Sequence, residues 1–323
     1  MCYGFDGQAA LKRSLSGTGA SRRGLFKAAG GVALGGAALA ATTGAPAAAA
    51  ATTATARRGG AGAGVKHDRI SIQLYTLRAA MGGTPGPATV LERLAQYGYE
   101  KVERAGFYPA FPDAPSLKAK LDTLGIRASS SHDGISTSSA ALQTKLENAR
   151  ILGQEYVVVP FLISSSRSEW EMWADQMNAE AEQARRWGLK YGYHNHAHEF
   201  TTKLDGGVTP WDVLTSRLDP KLVHLEVDLY WAYTGGVNTG AADPDQFAID
   251  VIADAPQRVR QFHVKDRDAA SGDMADLGTG VVDFGRIFRA HRVEEYIVEN
   301  DTPDVTPLTS AAVGHLYLDH VRF

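Results

Sequence analysis

The sequence is nearly without cysteine: Cys2 is the only thiol in 323 residues. No disulfide framework is open to such a chain. Because Cys2 falls in a segment expected to be removed, a thiolate nucleophile and a cysteine-bound zinc are excluded from the mature protein. A long hydrophobic run is also lacking. Ala28–Thr42 is free of charge, yet it is short and rich in Gly and Ala, so no stable membrane anchor is expected. Positive charge is in deficit. Met1–Ala56 holds five basic side chains and one acid, so 28 of the 33 basic and 35 of the 36 acidic residues lie beyond it, a net of −7. That balance argues against a surface built for a phosphate backbone, and no nucleic-acid partner is expected. No G-x-G-x-x-G follows the first apolar run, which argues against an open dinucleotide-binding sheet.

The N-terminus has its own pattern. Ser21-Arg22-Arg23-Gly24-Leu25-Phe26-Lys27 precedes the weakly apolar stretch, and small-residue sites follow at Ala45-Pro46-Ala47 and Ala54-Thr55-Ala56. This order resembles a twin-arginine export signal, with the apolar pair reversed as Leu25-Phe26. The expected organisation is a leader over residues 1–56, a Gly/Ala/Arg linker over 57–67 without a packing pattern, and a catalytic unit over 68–323.

From Asp68 onward, short apolar runs alternate with longer amphipathic ones. Candidate strands are Ile70–Thr76, Tyr99–Arg104, Ile126–His132, Tyr156–Pro160, Leu189–His196, Val223–Tyr230, Val259–Asp266 and Glu295–Asp301. Helical stretches separate them, among them Ala88–Tyr97, Ser139–Leu152, Ser168–Trp187 and Phe284–His291, and Leu308–Val321 follows the last strand. Such alternation predicts a parallel sheet, and eight units in about 250 residues predict a single α/β domain closed as a (β/α)8 TIM barrel. Gly98, Gly125, Gly153 and Gly188 each precede a strand, where helix-stopping glycines belong.

In barrels of this kind chemistry sits at the carboxyl ends of the strands. Asp228, His263 and Glu299 close three consecutive strands and should converge on the axis. Carboxylates with one imidazole suit Mn²⁺, Mg²⁺ or Co²⁺, with Zn²⁺ also open. Glu199 is the favoured fourth ligand, because it completes three oxygens and one nitrogen, with His194 as the other choice. Taken singly, a strand-end Asp is as readily a helix cap and a His a core residue; the site rests on their joint placement. Lys265 shares a face with His263 and either neutralises an oxyanion, donates a proton with a lowered pKa, or pairs with Asp228 or Glu299. Glu299, Glu199 and His196 join it as candidate catalytic groups. Tyr75, Glu103, His132, His194 and Trp231 are candidate substrate contacts, with Tyr230 beside Trp231 as a flat apolar wall. Leu277-Gly278-Thr279-Gly280 has the look of a phosphate loop, but a simple turn is the better reading.

Together, Tyr193-His194-Asn195-His196-x-x-Glu199-Phe200, Asp228, His263-Val264-Lys265-Asp266 and Val298-Glu299-Asn300 resemble the sugar phosphate isomerase/epimerase group of xylose-isomerase-like barrels, over roughly 68–323. The resemblance implies a divalent metal held by Glu199, Asp228, His263 and Glu299, and proton movement beside a sugar carbonyl. Some exported members cleave 3-keto-glycosides by elimination. Ketose epimerases carry a second His three residues after the strand-six Asp, and here that position is Trp231.

The leading expectation is thus a sugar isomerase or epimerase in which Glu299 or Glu199 takes the proton and Lys265 stabilises the enediolate. The second is a lyase on oxidised glycosides, favoured by export. An abasic-site endonuclease and a non-catalytic sugar-binding module rank behind them. The expected partner is a small sugar or glycoside, and a homo-oligomer is left open. If Arg22 and Arg23 direct export, changing both to Lys should leave unprocessed precursor inside the cell. Cell fractionation checks this, and normal export of the double variant would defeat it.

Overall fold

The computed structural model describes residues 63–323. The expected leader and most of the linker lie outside the described residues. The last linker residues do pack: Gly64 bridges Arg322, Ala63 accepts from the Phe323 amide, and Val65 is buried in the core. The alternating pattern used to find strands has no purchase on so short a segment.

Eight parallel strands form one sheet: β1 (Ile70–Gln73), β2 (Lys101–Arg104), β3 (Arg127–Ser131), β4 (Tyr156–Val159), β5 (Lys190–His194), β6 (Val223–Asp228), β7 (Val259–Val264) and β8 (Glu295–Val298). Ladders join them in the order β3, β2, β1, β8, β7, β6, β5, β4, and a parallel bridge from His132 to Val158 closes the ring between β3 and β4. The fold is the expected single (β/α)8 barrel. Its outer helices include α1 (Pro87–Tyr97), α2 (Ala114–Leu124), α3 (Ser139–Leu152), α4 (Arg167–Arg186), α5 (Pro210–Arg217), α6 (Leu229–Thr239), α7 (Pro244–Asp254), α8 (Phe284–Ala290) and α9 (Pro307–His320). None of the described helices is long and apolar enough to cross a membrane. The four glycines read as helix stops all have positive φ, between 69° and 98°.

Strands end sooner than their apolar runs. β1 stops at Gln73, whose side chain accepts from the Tyr75 amide and turns Leu74–Leu77 into a 3-10 helix. β6 stops at Asp228, whose side chain caps α6. The polar residue at each end competes with the ladder for the backbone and wins.

The two faces of the sheet differ sharply. Outward side chains such as Ile70, Ile72, Val102, Val227, Phe262 and Val264 join the helices in the apolar core. The inward face is mostly polar. Near its floor Glu295 accepts from Ser129 and Gln261, and His224 bonds Gln261 at 3.0 Å. Above them lie Gln73, Glu103, Glu226, His132, His194 and His263, and then Asp228, Lys265 and Glu299. The interior lacks the branched apolar layers usual in such barrels, so its stability rests on the outer shell and on paired polar groups within.

Gly192 on β5 makes room for one of them. A Cβ there would stand 2.5 Å from Nε2 of His224. Gly192→Ala should therefore destabilise by about 1–3 kcal/mol, the usual cost of overpacking. Urea unfolding measures it, and an unchanged midpoint would show that the ring moves freely.

Candidate active site

Alternation on β5, β6 and β7 sends His194, Glu226, Asp228 and His263 inward. Lys265 follows β7 and Glu299 follows β8. Asn195 ties two of these ends together: its Oδ1 accepts from the Asp228 amide at 3.0 Å, and its Nδ2 reaches the Asp228 carbonyl at 3.4 Å.

His194, Asp228, His263 and Glu299 each bring one donor atom within 4.8 Å of the others, and all four are buried. His263 Nδ1 is 2.6 Å from Glu299 Oε2, and His194 Nε2 is 3.8 Å from Asp228 Oδ2. Asp228 serves both readings of a strand-end acid. Its Oδ1 caps α6 by accepting from the Trp231 amide, while Oδ2 faces the cluster and is met by Lys265 Nζ at 3.0 Å. Two imidazole nitrogens and two carboxylate oxygens make a donor set that could hold a divalent metal.

Glu199 does not join this set. It lies on a one-turn helix, His198–Thr201, and both its oxygens are engaged: Oε1 accepts from Tyr193 Oη at 2.6 Å and Oε2 from the His196 amide at 2.9 Å. Tyr193 alternates with His194 and points to the outer side of β5. The turn after the strand carries Glu199 to that side, and His194, the other choice for the fourth ligand as well as a candidate substrate contact, stands at the fourth corner of the cluster.

Lys265 Nζ lies 3.0 Å from Asp228, 2.7 Å from Glu299 and 3.1 Å from Asp301. Burial alone would lower its pKa, but these carboxylates hold it well above the usual lysine value. The amine is therefore an ammonium ion rather than the lowered-pKa donor considered from sequence. Burial and neighbouring His263 bring His194 down to about 3, so its ring is neutral, as a metal ligand must be. Against burial, Glu226, Glu299 and Glu103 raise His263 well above its ordinary value, so a metal taking its Nδ1 would have to displace a proton from that ring. Against burial again, Lys265 and His263 keep Glu299 ionised.

A cavity of about 370 Å³ opens over this cluster, lined by Tyr75, His132, His194, Lys265, Glu299 and Asp301, with His196 and Phe161 also on its wall. A larger hollow of about 460 Å³ lies outside the barrel between α5 and α7, and its lining holds neither imidazole nor lysine. Tyr75, His132, His194 and His196 thus line the cavity. Burial, followed by His194 and Lys265, lowers the pKa of His196, so it too is neutral. Glu103, Trp231 and Tyr230 are placed differently. Glu103 is fully buried beneath the cavity, bonded to Gln73 and His263. Trp231 packs against His196 with centroids 5.4 Å apart and is not among the lining residues. Tyr230 is buried, its hydroxyl spent on the Gly272 carbonyl.

The Gly278/Gly280 loop is a turn around an internal carboxylate. Asp266 accepts from the amides of Arg267, Gly278, Gly280 and Val282, so the donors that a phosphate would need are taken. Sequence reasoning passed over Glu226 and Asp301. Glu226 was findable, since it stands two residues before Asp228 and must share its face. Asp301 lies past the end of β8, where alternation no longer applies.

The metal assignment is testable without substrate. His194→Ala should lose bound divalent metal, because the remaining carboxylates are left facing one another, whereas Glu199→Gln should keep it. Metal analysis of the purified variants decides, and the opposite pattern would restore Glu199 as the ligand.

The profile described as "Xylose isomerase-like TIM barrel" matches residues 91–304. An inosose dehydratase from Geobacillus kaustophilus is 28% identical over 271 residues, covering 72% of this chain and 86% of the relative. A sugar phosphate isomerase/epimerase from Parabacteroides distasonis superposes with a TM-score of 0.65 at 22% identity, covering 78% of this chain and 94% of the other. A protein named IolI, solved with a zinc atom, superposes with a TM-score of 0.57 at 13% identity over 77% of this chain and 96% of its own. With the profile matching about two thirds of its length, this chain belongs to the xylose isomerase-like TIM barrel family.

Proposed function

We propose that the protein is a divalent-metal-dependent lyase. It takes the proton beside the ketone of a neutral cyclic keto-polyol or keto-glycoside and expels the oxygen substituent from the next carbon. The observation that carries this is the one-sidedness of the cavity. Its carboxylates and its ammonium, Glu299, Asp301 and Lys265, all follow β7 and β8, and the one lining imidazole with a raised pKa, His132 after β3, has its Nε2 engaged by Glu226 at 2.7 Å. The wall from β4 and β5 offers Pro160, Phe161 and two imidazoles held neutral. Epimerisation needs a proton donor on each face of the carbon, and the other acid weighed from sequence, Glu199, is turned away. Elimination needs its base and its acid, and both fit on one side.

In this reading Glu299 accepts the proton, and the Lys265 ammonium lies beside the oxygen that becomes negative. Asp301, its pKa pushed up to about 6 by burial and by Glu299 and its Oδ1 free of any hydrogen bond, would be the acid that gives the departing oxygen its proton, and the proton taken by Glu299 would pass to solvent after product release. A divalent ion held by His194, Asp228, His263 and Glu299 would add positive charge to stabilise the same oxyanion. The donors suit Zn²⁺, Mn²⁺ or Co²⁺ better than Mg²⁺, which prefers an all-oxygen octahedron. The zinc of the IolI structure and the dehydratase name of the curated relative point the same way. A neutral substrate is favoured over a sugar phosphate, since Lys265 already meets three carboxylates and the glycine-loop amides are filled. Export by the twin-arginine route belongs to this proposal, because glycosides are extracellular nutrients.

Lys265→Met should keep its metal and bind substrate yet lose about 10²–10³ in turnover, the worth of one oxyanion-stabilising donor. In heavy water the native enzyme should exchange the proton beside the substrate carbonyl and release water or the aglycone. A product of unchanged mass would return the assignment to the isomerases. A Lys265→Met enzyme of near-native rate would make the lysine a structural ion-pair partner, and no exchange at all would remove the enolate chemistry.

A further inference from the structure

Beneath the metal cluster, one carboxylate oxygen meets three imidazoles. Glu226 Oε1 lies 2.7 Å from His132 Nε2, 3.1 Å from His263 Nε2 and 3.3 Å from His194 Nδ1. Glu226 is fully buried and absent from the cavity lining, so it touches no substrate. The two rings that complete the cluster are gripped by opposite nitrogens. His263 is held through Nε2 and turns Nδ1 toward Glu299, whereas His194 is held through Nδ1 and turns Nε2 toward Asp228. His263 Nε2 is held more closely by Glu103, at 2.7 Å, so that ring is shared by two carboxylates, whereas His194 Nδ1 has Glu226. His132 stacks on His263 with centroids 5.0 Å apart and rings 10° from parallel.

We infer that Glu226 is the positioning residue of the metal centre: its single oxygen orients both imidazole ligands, so that His194 binds through Nε2 and His263 through Nδ1. The inference rests on the metal reading above. An imidazole coordinates through one nitrogen, and the partner of its other nitrogen fixes both the tautomer and the plane of the ring. Usually each ligand has its own such partner. Here one carboxylate serves two, so a change at Glu226 must disturb two corners of the site at once, whereas a change at Glu103 disturbs one.

The test uses metal-stripped full-length protein with zinc and cobalt ions. Zinc affinity is measured by competition with a chelating dye, and the Co²⁺ visible spectrum reports ligand geometry. Glu226→Gln should weaken zinc binding about 10–100-fold, the usual cost of losing such a partner, and should shift the Co²⁺ bands. Glu103→Gln should do less of both. A Glu226→Gln protein with native affinity and spectrum would overturn the inference. So would weaker binding with an unchanged Co²⁺ spectrum, since that is the mark of lost charge rather than lost orientation. Should the variant not fold, nitrogen NMR of the zinc-loaded native protein decides: any pair of metal-bound nitrogens other than Nε2 of His194 and Nδ1 of His263 refutes it. A native protein that binds no zinc or cobalt overturns the metal reading as a whole, and the two failures are therefore distinguishable.

Discussion

The buried charge of Glu226 is the constraint around which the barrel interior is arranged. A lone carboxylate at the centre of a protein would cost several kcal/mol in lost hydration. It is tolerated here because three imidazole nitrogens surround one of its oxygens. Two of those imidazoles, His132 and His263, have pKa values raised by the Glu103 and Glu226 carboxylates, against the effect of burial. Glu103, pushed up to about 7 by burial and by Glu226, is the softer member of the layer. The upper layer inherits its geometry from this one, since His194 and His263 belong to both.

Such an interior is affordable only because the other side of each strand does the folding. Ile70 and Ile72 flank Ser71, and Phe262 flanks Gln261 and His263. The outward residues bury their apolar area against the ring of helices, and at about 25 cal/mol per Å² that layer carries the stability. The inward residues are thereby released from packing duty. Where they need space, the chain supplies it by omission, as Gly192 does for His224.

Period-2 alternation made much of this legible from sequence. It gave the eight strands, the barrel, and the convergence of Asp228, His263 and Glu299. It failed where the strand ends. The Tyr193–Glu199 segment reads as one motif, yet its backbone turns after His194, and Glu199 ends on the far side, bonded to Tyr193. That rotation is set by tertiary partners, among them the Asn195 amide bracketing the Asp228 backbone, and no local spacing records it. The same limit explains Tyr75, whose run of apolar neighbours looks like strand but bends at Gln73. Glu226 was missed for a different reason. Residues that orient a site lie one pleat below the strand tip, where nothing in the local pattern marks them apart from other inward polar side chains.

Division of labour between the two faces also bears on chemistry within this family. An inward position changes what the site can do while leaving the helix-facing core intact. At the end of β5, a carboxylate in place of His194 would set a second base opposite Glu299 and make proton transfer two-sided. The imidazole there is neutral, and the cavity's carboxylates and ammonium stay on the β7 and β8 side. Such an exchange leaves Tyr191, Tyr193 and the outer core untouched, because they face the other way. On the proposed reading, that one inward residue would set whether proton transfer is one-sided or two-sided, provided that the layer beneath still holds whatever ligand is placed there. In this chain that support comes from Glu226, whose bond to His194 Nδ1 leaves Nε2 free for the site above.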